Sequence, residues 1–399
     1  MKQYQLINNK TDWLYSVSLL LMLFLPHVGF LYIINPLLVL ILAFRNRVFK
    51  FSNIGIIYVL VALIVISFFV NVLEGTEVSA KPFYRAVGLI ICFVLFPFSE
   101  NERILKSVLY FSILFILFSQ LCDVLGLRII SSFFSRFYIG EETTEYIERY
   151  MRSGGSLSVF RLGGLFNNPN QCAKYVTCIF TIFTIDYFNE GLKKHLLISV
   201  LCAFSLLLTG SRTGLFVFLI ILTFSYVLRN RRNKLSVIMV TLLFSSFFLF
   251  AYVFSDLGSS YRAFALDSGV EDSFSGKLGF IAKYLNSDLT VSQWLFGNFF
   301  YTQDAVQRYL IDVTTMDSEF GVSIFTYGFT FTIPYIILLL IIYKKLKRQN
   351  VLIILIFLWC LSSTIIFSYR TSFLVLFLLS KYYSASIKIN NYGITKMEL

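Results

Sequence analysis

Charge is what this chain most lacks. Of its 399 residues only 14% are Asp, Glu, Lys or Arg, where soluble domains carry about 25%. A soluble reading is thereby excluded. Histidine is nearly absent, with His27 and His195 the two examples, and neither falls in a long polar stretch. The six cysteines, Cys92, Cys122, Cys172, Cys178, Cys202 and Cys360, lie inside or at the edge of apolar runs without close CxxC spacing. Neither a disulfide framework nor a zinc cage is implied. No HExxH occurs, and no Asp-x-Asp pair lies in the long polar stretches, so ligand spacing supports no metal and no cofactor is expected. The apolar runs do not alternate with polar residues, which excludes a membrane β-barrel. Internal repeats, low-complexity segments and lipidation motifs are missing as well.

What remains is apolar: 57% of residues are hydrophobic and the mean hydropathy is +0.75. Backbone polar groups in lipid must be satisfied within the chain, so long continuous runs of this kind predict membrane-crossing helices. Twelve runs qualify, at about 13–27, 28–44, 54–73, 83–98, 104–126, 171–187, 196–208, 214–228, 235–255, 322–342, 351–368 and 372–383. The first two share a short stretch interrupted by Pro26 and by Asn35-Pro36 and read as a hairpin. The fold class is all-α, a single polytopic bundle over 1–399. With the N-terminus inside, twenty basic residues fall near cytoplasmic span ends, against four (Lys81, Arg85, Arg212 and Arg370) in short external turns, as the positive-inside rule requires. Both termini are then cytoplasmic, and the long stretches 127–170 and 256–321 are external loops. The second loop holds nine acids and four bases, an asymmetry that argues against a nucleic-acid partner. No cleaved signal is expected at the N-terminus, since no small-residue cleavage site follows Trp13 onward.

Four polar constellations lie within reach of the outer face. Arg161-Leu-Gly-Gly-Leu-Phe-Asn-Asn-Pro-Asn170 precedes a span. Its glycines allow close backbone approach, Pro169 suits a first helical turn, free amides at a helix start attract anions, and Arg161 offers a fork matched to phosphate. The plain alternative is a loop that merely starts a helix. Leu208-Thr-Gly-Ser-Arg-Thr-Gly214 forms a tight tip between two spans, where Ser211 and Arg212 either bind a ligand or the arginine snorkels to headgroups. Trp294-Leu-Phe-Gly-Asn298 and Asp317-Ser-Glu-Phe-Gly321 flank the end of the acidic loop. Since no external histidine exists, Asp317 is the first candidate for a general base. Arg85 and Arg370 sit near outer helix ends, as substrate contacts or as snorkelling groups. Asp123 and Lys174, also near outer ends, are a candidate ion pair.

Arg161-x-Gly-Gly-x-Phe-x-Asn-Pro-Asn170, Thr209-Gly-Ser-Arg-Thr-Gly214, Leu295-Phe-Gly297, and Asp317-Ser with Tyr327-Gly328 together resemble the O-antigen polymerase and O-antigen ligase superfamily, the Wzy and WaaL type. The resemblance covers about 150–345. It implies an inverting, GT-C-like membrane glycosyltransferase whose external cavity accepts sugars carried on undecaprenyl diphosphate in a bacterial inner membrane. Ligases of this superfamily usually place a histidine where this chain has Asp317, so the resemblance points to a polymerase of repeat units, making O-antigen or capsule-type polysaccharide. On this reading Arg161 and Arg212 bind the diphosphate, Asn170, Ser211, Arg85 and Arg370 contribute to substrate binding, and Asp317 accepts the proton. The implied partners are the lipid-linked glycan donor and acceptor, membrane lipids and a chain-length regulator. The rival readings are a ligase with a different acceptor and, more distantly, a lipid-linked oligosaccharide flippase, against which the long second external loop weighs.

Overall fold

The computed structural model describes residues 55–76, 78, 82–83, 102–139, 162–166, 169–229, 289–299 and 319–345, together with Leu355, Ile356, Trp359, Cys360, Thr371, Leu374 and Val375. The expected spans at 13–27, 28–44 and 235–255, and most of those at 83–98, 351–368 and 372–383, lie outside these residues. Every regular element among the described residues is helical, and none is a strand. Among the described residues two helices, Lys106–Val124 and Glu319–Leu340, are long and apolar enough to cross a membrane by length and composition. The chain divides into two compact units, one containing 33–104 and 271–399, the other 105–270.

The second unit is built from α2 (Glu102–Val124), α3 (Arg128–Phe134) continuing into a π-helical turn (Ser135–Ile139), α4 (Pro169–Glu190), α5 (Lys193–Thr209) and α6 (Arg212–Arg229). Short connections force neighbours to pack. Gly191 (φ +70°) turns α4 into α5, and Gly210 (φ +56°) turns α5 into α6. Both corners use a left-handed conformation that costs glycine little. Two-residue links make successive helices antiparallel, so α4 and α6 run in the same direction, with Phe180 and Phe218 rings 4.5 Å apart. Every residue of α4 from Cys172 to Asp186 is buried. A helix buried on all sides is the core of its bundle.

Polarity runs inward in this unit. On α5 the buried set includes His195, Ser199, Cys202, Ser205 and Thr209, while Leu196, Leu197, Val200, Phe204 and Leu207 are exposed. On α2, Ser112, Ser119 and Gln120 are buried and Phe111, Leu114, Phe118 and Leu121 face out. A helix in water shows the opposite distribution. Apolar ridges outside and hydroxyls inside suit a hydrocarbon surrounding, where polar groups find partners only on other helices. Thr184 and Ser199 hydroxyls meet at 3.1 Å between α4 and α5. Gln120 donates to the Leu162 and Ser205 carbonyls at 3.0 and 3.3 Å and accepts from the Ser205 hydroxyl at 2.8 Å. At the opposite end of α2 and α4, Lys106 Nζ lies 3.0 Å from Asp186 Oδ2. Lys174 and Asp123 are both buried, and among the described residues the expected ion pair between them is not formed.

The first unit contains α1 (Gly55–Leu73), α7 (Val291–Phe296) and α8 (Glu319–Lys345). On α1 the buried stripe Leu60, Ile64, Ser67, Asn71 follows helical spacing, and Tyr58, Val59, Ile66 and Phe69 are exposed on the other side. The sequence predicts one span over 322–342; α8 has the length and apolarity for one, but a break divides it into two shorter helices. Its path is not straight. Gly328 has φ 78° and ψ 179°, outside the helical region. Ser323 and Thr332 hydroxyls lie 2.8 Å apart, and the Tyr335 hydroxyl donates to Glu319 Oε1 at 3.1 Å. In a continuous helix those pairs would be about 13 and 24 Å apart along the axis. The chain therefore doubles back at Gly328, with 319–327 and 329–345 as the two arms of a helical hairpin.

The Lys106–Asp186 pair gives a stability test. Asp186→Leu alone removes the carboxylate from beside a mostly buried ammonium and should lower the melting temperature, at a cost of up to about 3 kcal/mol. Lys106→Met with Asp186→Leu should recover most of the loss, measured by thermal unfolding in micelles.

Candidate functional site

Two of the sequence motifs meet in the second unit. The main-chain N–H of Leu162 donates to the Leu208 carbonyl at 3.0 Å, which lays the Leu162-Gly-Gly segment beside the end of α5. Gly164 (φ +56°) sits against α2 so closely that a methyl group there would fall 2.6 Å from Ser119 Oγ. The second glycine of the motif is thus required by both conformation and space. Pro169 opens α4 in the position that proline favours, and Asn170 follows it. Ser211 precedes α6, and its hydroxyl oxygen accepts from the Gly214 N–H at 3.2 Å, an N-cap. The same hydroxyl donates to Asn170 Oδ1 at 2.9 Å. Gly214 lets α6 approach α4, since a methyl group on it would lie 2.8 Å from the Ala173 side chain.

The result is a pair of parallel helix N-termini tied edge to edge by Asn170 and Ser211. Each carries the positive end of a helix dipole, so side by side they form a place where negative charge is favoured. Arg212 is the first residue of α6. Arg161 immediately precedes Leu162 in the chain and itself lies outside the described residues, as do Arg85, Asp317 and Arg370. Asn170 and Ser211 are thus brought together among the expected site residues. Lys174, one turn further along α4, is 1% exposed. About 24 Å of helix separates Asn170 from Asp186, taking 1.5 Å per residue, so the two polar ends of the bundle stand apart by most of a hydrocarbon thickness.

A second polar constellation occupies the first unit, again by itself. Residues 297–299 follow α7 and insert into the break of α8. The Asn298 and Phe299 N–H groups donate to the Phe325 and Thr326 carbonyls at 2.9 and 3.0 Å, supplying partners to main-chain groups that the interruption would otherwise leave bare. Gly297 (φ +70°) and Gly328 (φ +78°) face this contact, and a methyl group on Gly328 would overlap the Leu295 carbonyl. From α1, Asn71 Nδ2 donates to the Gly297 carbonyl at 3.1 Å and the Ser67 hydroxyl donates to that of Phe296. Thr330 donates to the Leu295 carbonyl at 2.7 Å, and Tyr327 donates to that of Pro82 at 2.7 Å.

Sequence reasoning singled out the glycines of this region and missed their partners. Ser67 and Asn71, one turn apart in an otherwise apolar run, are the signal that identifies the contact face of α1. Gln120 in the run 104–126 is the equivalent signal for the second unit. Glu319, two residues beyond Asp317, is fully buried and bonded to Tyr335; its motif was noted, but its role at the base of the hairpin was not.

Gly164→Val should unfold or mispack the second unit by forcing α2 away from the loop, seen as a lowered melting temperature. Gly191→Ala, at a corner where an added methyl group would meet nothing within 4 Å, should cost less. A comparison of the chain with protein-family models finds no match, and a comparison with curated proteins finds none either.

Proposed function

We propose that this protein is a membrane glycosyltransferase that polymerises undecaprenyl-diphosphate-linked oligosaccharide repeats into a surface polysaccharide of O-antigen or capsule type at the outer face of a bacterial inner membrane. The observation that carries the reading is the junction of α4 and α6, joined by the Asn170–Ser211 hydrogen bond at 2.9 Å, with Arg212 opening α6 and Arg161 adjoining the packed Leu162-Gly-Gly segment. Two helix starts and two guanidinium groups on these motifs suit a diphosphate, which carries its charge on several oxygens and accepts bidentate hydrogen bonds.

In the reaction, a hydroxyl of the incoming repeat attacks the anomeric carbon of the growing glycan from the face opposite the diphosphate. A new carbon–oxygen bond forms, the bond from the anomeric carbon to the diphosphate oxygen breaks, and the configuration inverts. Asp317 takes the proton from the attacking hydroxyl. Arg161 and Arg212 stabilise the charge that gathers on the departing undecaprenyl diphosphate, each charge-assisted hydrogen bond contributing about 1.5–3 kcal/mol. The carrier supplies the activated bond, so neither a nucleotide sugar nor a metal takes part. Asn170 and Ser211 hold the two helix starts together. Arg85 and Arg370 extend the substrate contacts, membrane lipids surround the bundle, and a chain-length regulator docks from outside the chain.

Arg161→Ala and Arg212→Ala should each leave the protein in the membrane and yield single repeats in place of long chains, a loss of about ten- to a hundred-fold in rate. Arginine-to-lysine changes should rescue poorly, since lysine keeps the charge and loses the fork. Asp317→Asn should abolish polymerisation. Normal chain lengths in both arginine variants, read on a gel of products from purified lipid-linked repeat, would remove the arginines from the mechanism.

A further inference from the structure

We infer that the carboxamide of Asn298 is a binding contact for the hydroxyl groups of a sugar unit, at the break of α8. The inference rests on the proposed function and names where its glycan is held. Asn298 is 1% exposed, and both polar atoms of its side chain, Nδ2 and Oδ1, are buried without a hydrogen-bond partner. Its main-chain N–H is already engaged by the Phe325 carbonyl, so the carboxamide alone is left over. A buried amide in this state is strongly disfavoured, and native interiors satisfy such groups nearly always. An apolar residue of similar volume would be more stable at this position unless something else completes the amide.

The surroundings hold Asn298 in place. Gly297 lies against the Thr326 main chain, Asn71 grips the Gly297 carbonyl, and the following Phe299 packs edge-on against Phe68 and Tyr327 at 5.4 and 5.8 Å. A carboxamide fixed in this way presents a donor and an acceptor side by side, the pattern that neighbouring hydroxyls of a sugar ring complete. Trp294, three residues before Gly297, stacks on Phe329 at 5.6 Å, and Phe329 is partly exposed, which supplies the aromatic surface that the C–H faces of sugars favour. No Lys or Arg occurs in 55–76, 289–299 or 319–335. These described segments are therefore suited to a neutral hydroxylated group.

The test uses the full-length protein in micelles with two probes: undecaprenyl diphosphate alone, and the oligosaccharide released by mild acid from the lipid-linked repeat. Melting temperature and equilibrium binding are read for each. Asn298→Leu should raise the melting temperature of the ligand-free protein, because it removes the unsatisfied amide. It should weaken oligosaccharide binding by at least about tenfold and leave the response to undecaprenyl diphosphate unchanged. Asn298→Ser, smaller and still polar, serves as the second variant and should retain partial binding. The inference is overturned by a wild type that does not bind the oligosaccharide, by binding within about twofold of wild type in Asn298→Leu, or by failure of both variants to fold, which would make the amide structural. The undecaprenyl diphosphate arm decides separately: a wild type that ignores it undermines the proposed function, whatever Asn298 does.

Discussion

A polar group inside an apolar bundle has no water to turn to, and that constraint organises both units of this protein. Gln120 accounts for it most completely, with its amide donating to two carbonyls and accepting from Ser205. Because those carbonyls belong to the Leu162 segment and to α5, satisfying one side chain ties a loop and two helices into a single arrangement. The Asn170–Ser211 bond does the same for the starts of α4 and α6. In hydrocarbon such bonds contribute a modest amount each, roughly 0.6 kcal/mol on average, so their larger effect is to select one packing among many apolar ones.

The same constraint explains why the helix break at Gly328 is built as it is. Doubling a helix back exposes main-chain groups, and the Asn298-Phe299 segment fills the gap with its own N–H donors. Glycines at 297 and 328 are the condition for that insertion, since side chains at either place would collide with main chain. Irregular backbone of this kind is tolerated at membrane depth only where protein or a cavity lines it. Among the described residues, regular helices present the apolar outer surface, and the interruptions carry buried polar contacts.

Much of this was legible in the residues. Gly163-Gly164, Pro169, Ser211 and Gly214 stand out as points where backbone freedom, a helix start or a close approach is needed, and Pro169, Gly164 and Gly214 act in those ways. The corner at Gly210 was equally clear from its brevity. The reversal at Gly328 was not, because apolarity over 322–342 reports burial or lipid contact and carries no information on direction; one glycine amid Phe, Thr and Tyr does not announce a hairpin. Buried partners were also invisible, since the pairing of Lys106 with Asp186, or of Asn71 with Gly297, joins residues far apart in the chain and depends on which helices become neighbours. Asp123 and Lys174 show the cost of pairing by sequence alone: both lie near expected outer ends, yet end position fixes neither rotation about the helix axis nor choice of neighbour.

The account stands on anionic diphosphate being held where α4 and α6 begin. A structure of the full-length protein with undecaprenyl diphosphate bound tests this most directly. The account predicts diphosphate density beside Asn170 and Ser211, with the Arg161 and Arg212 side chains in hydrogen-bonding distance of its oxygens. Density at any other place on the protein, with those two helix starts empty, would contradict it.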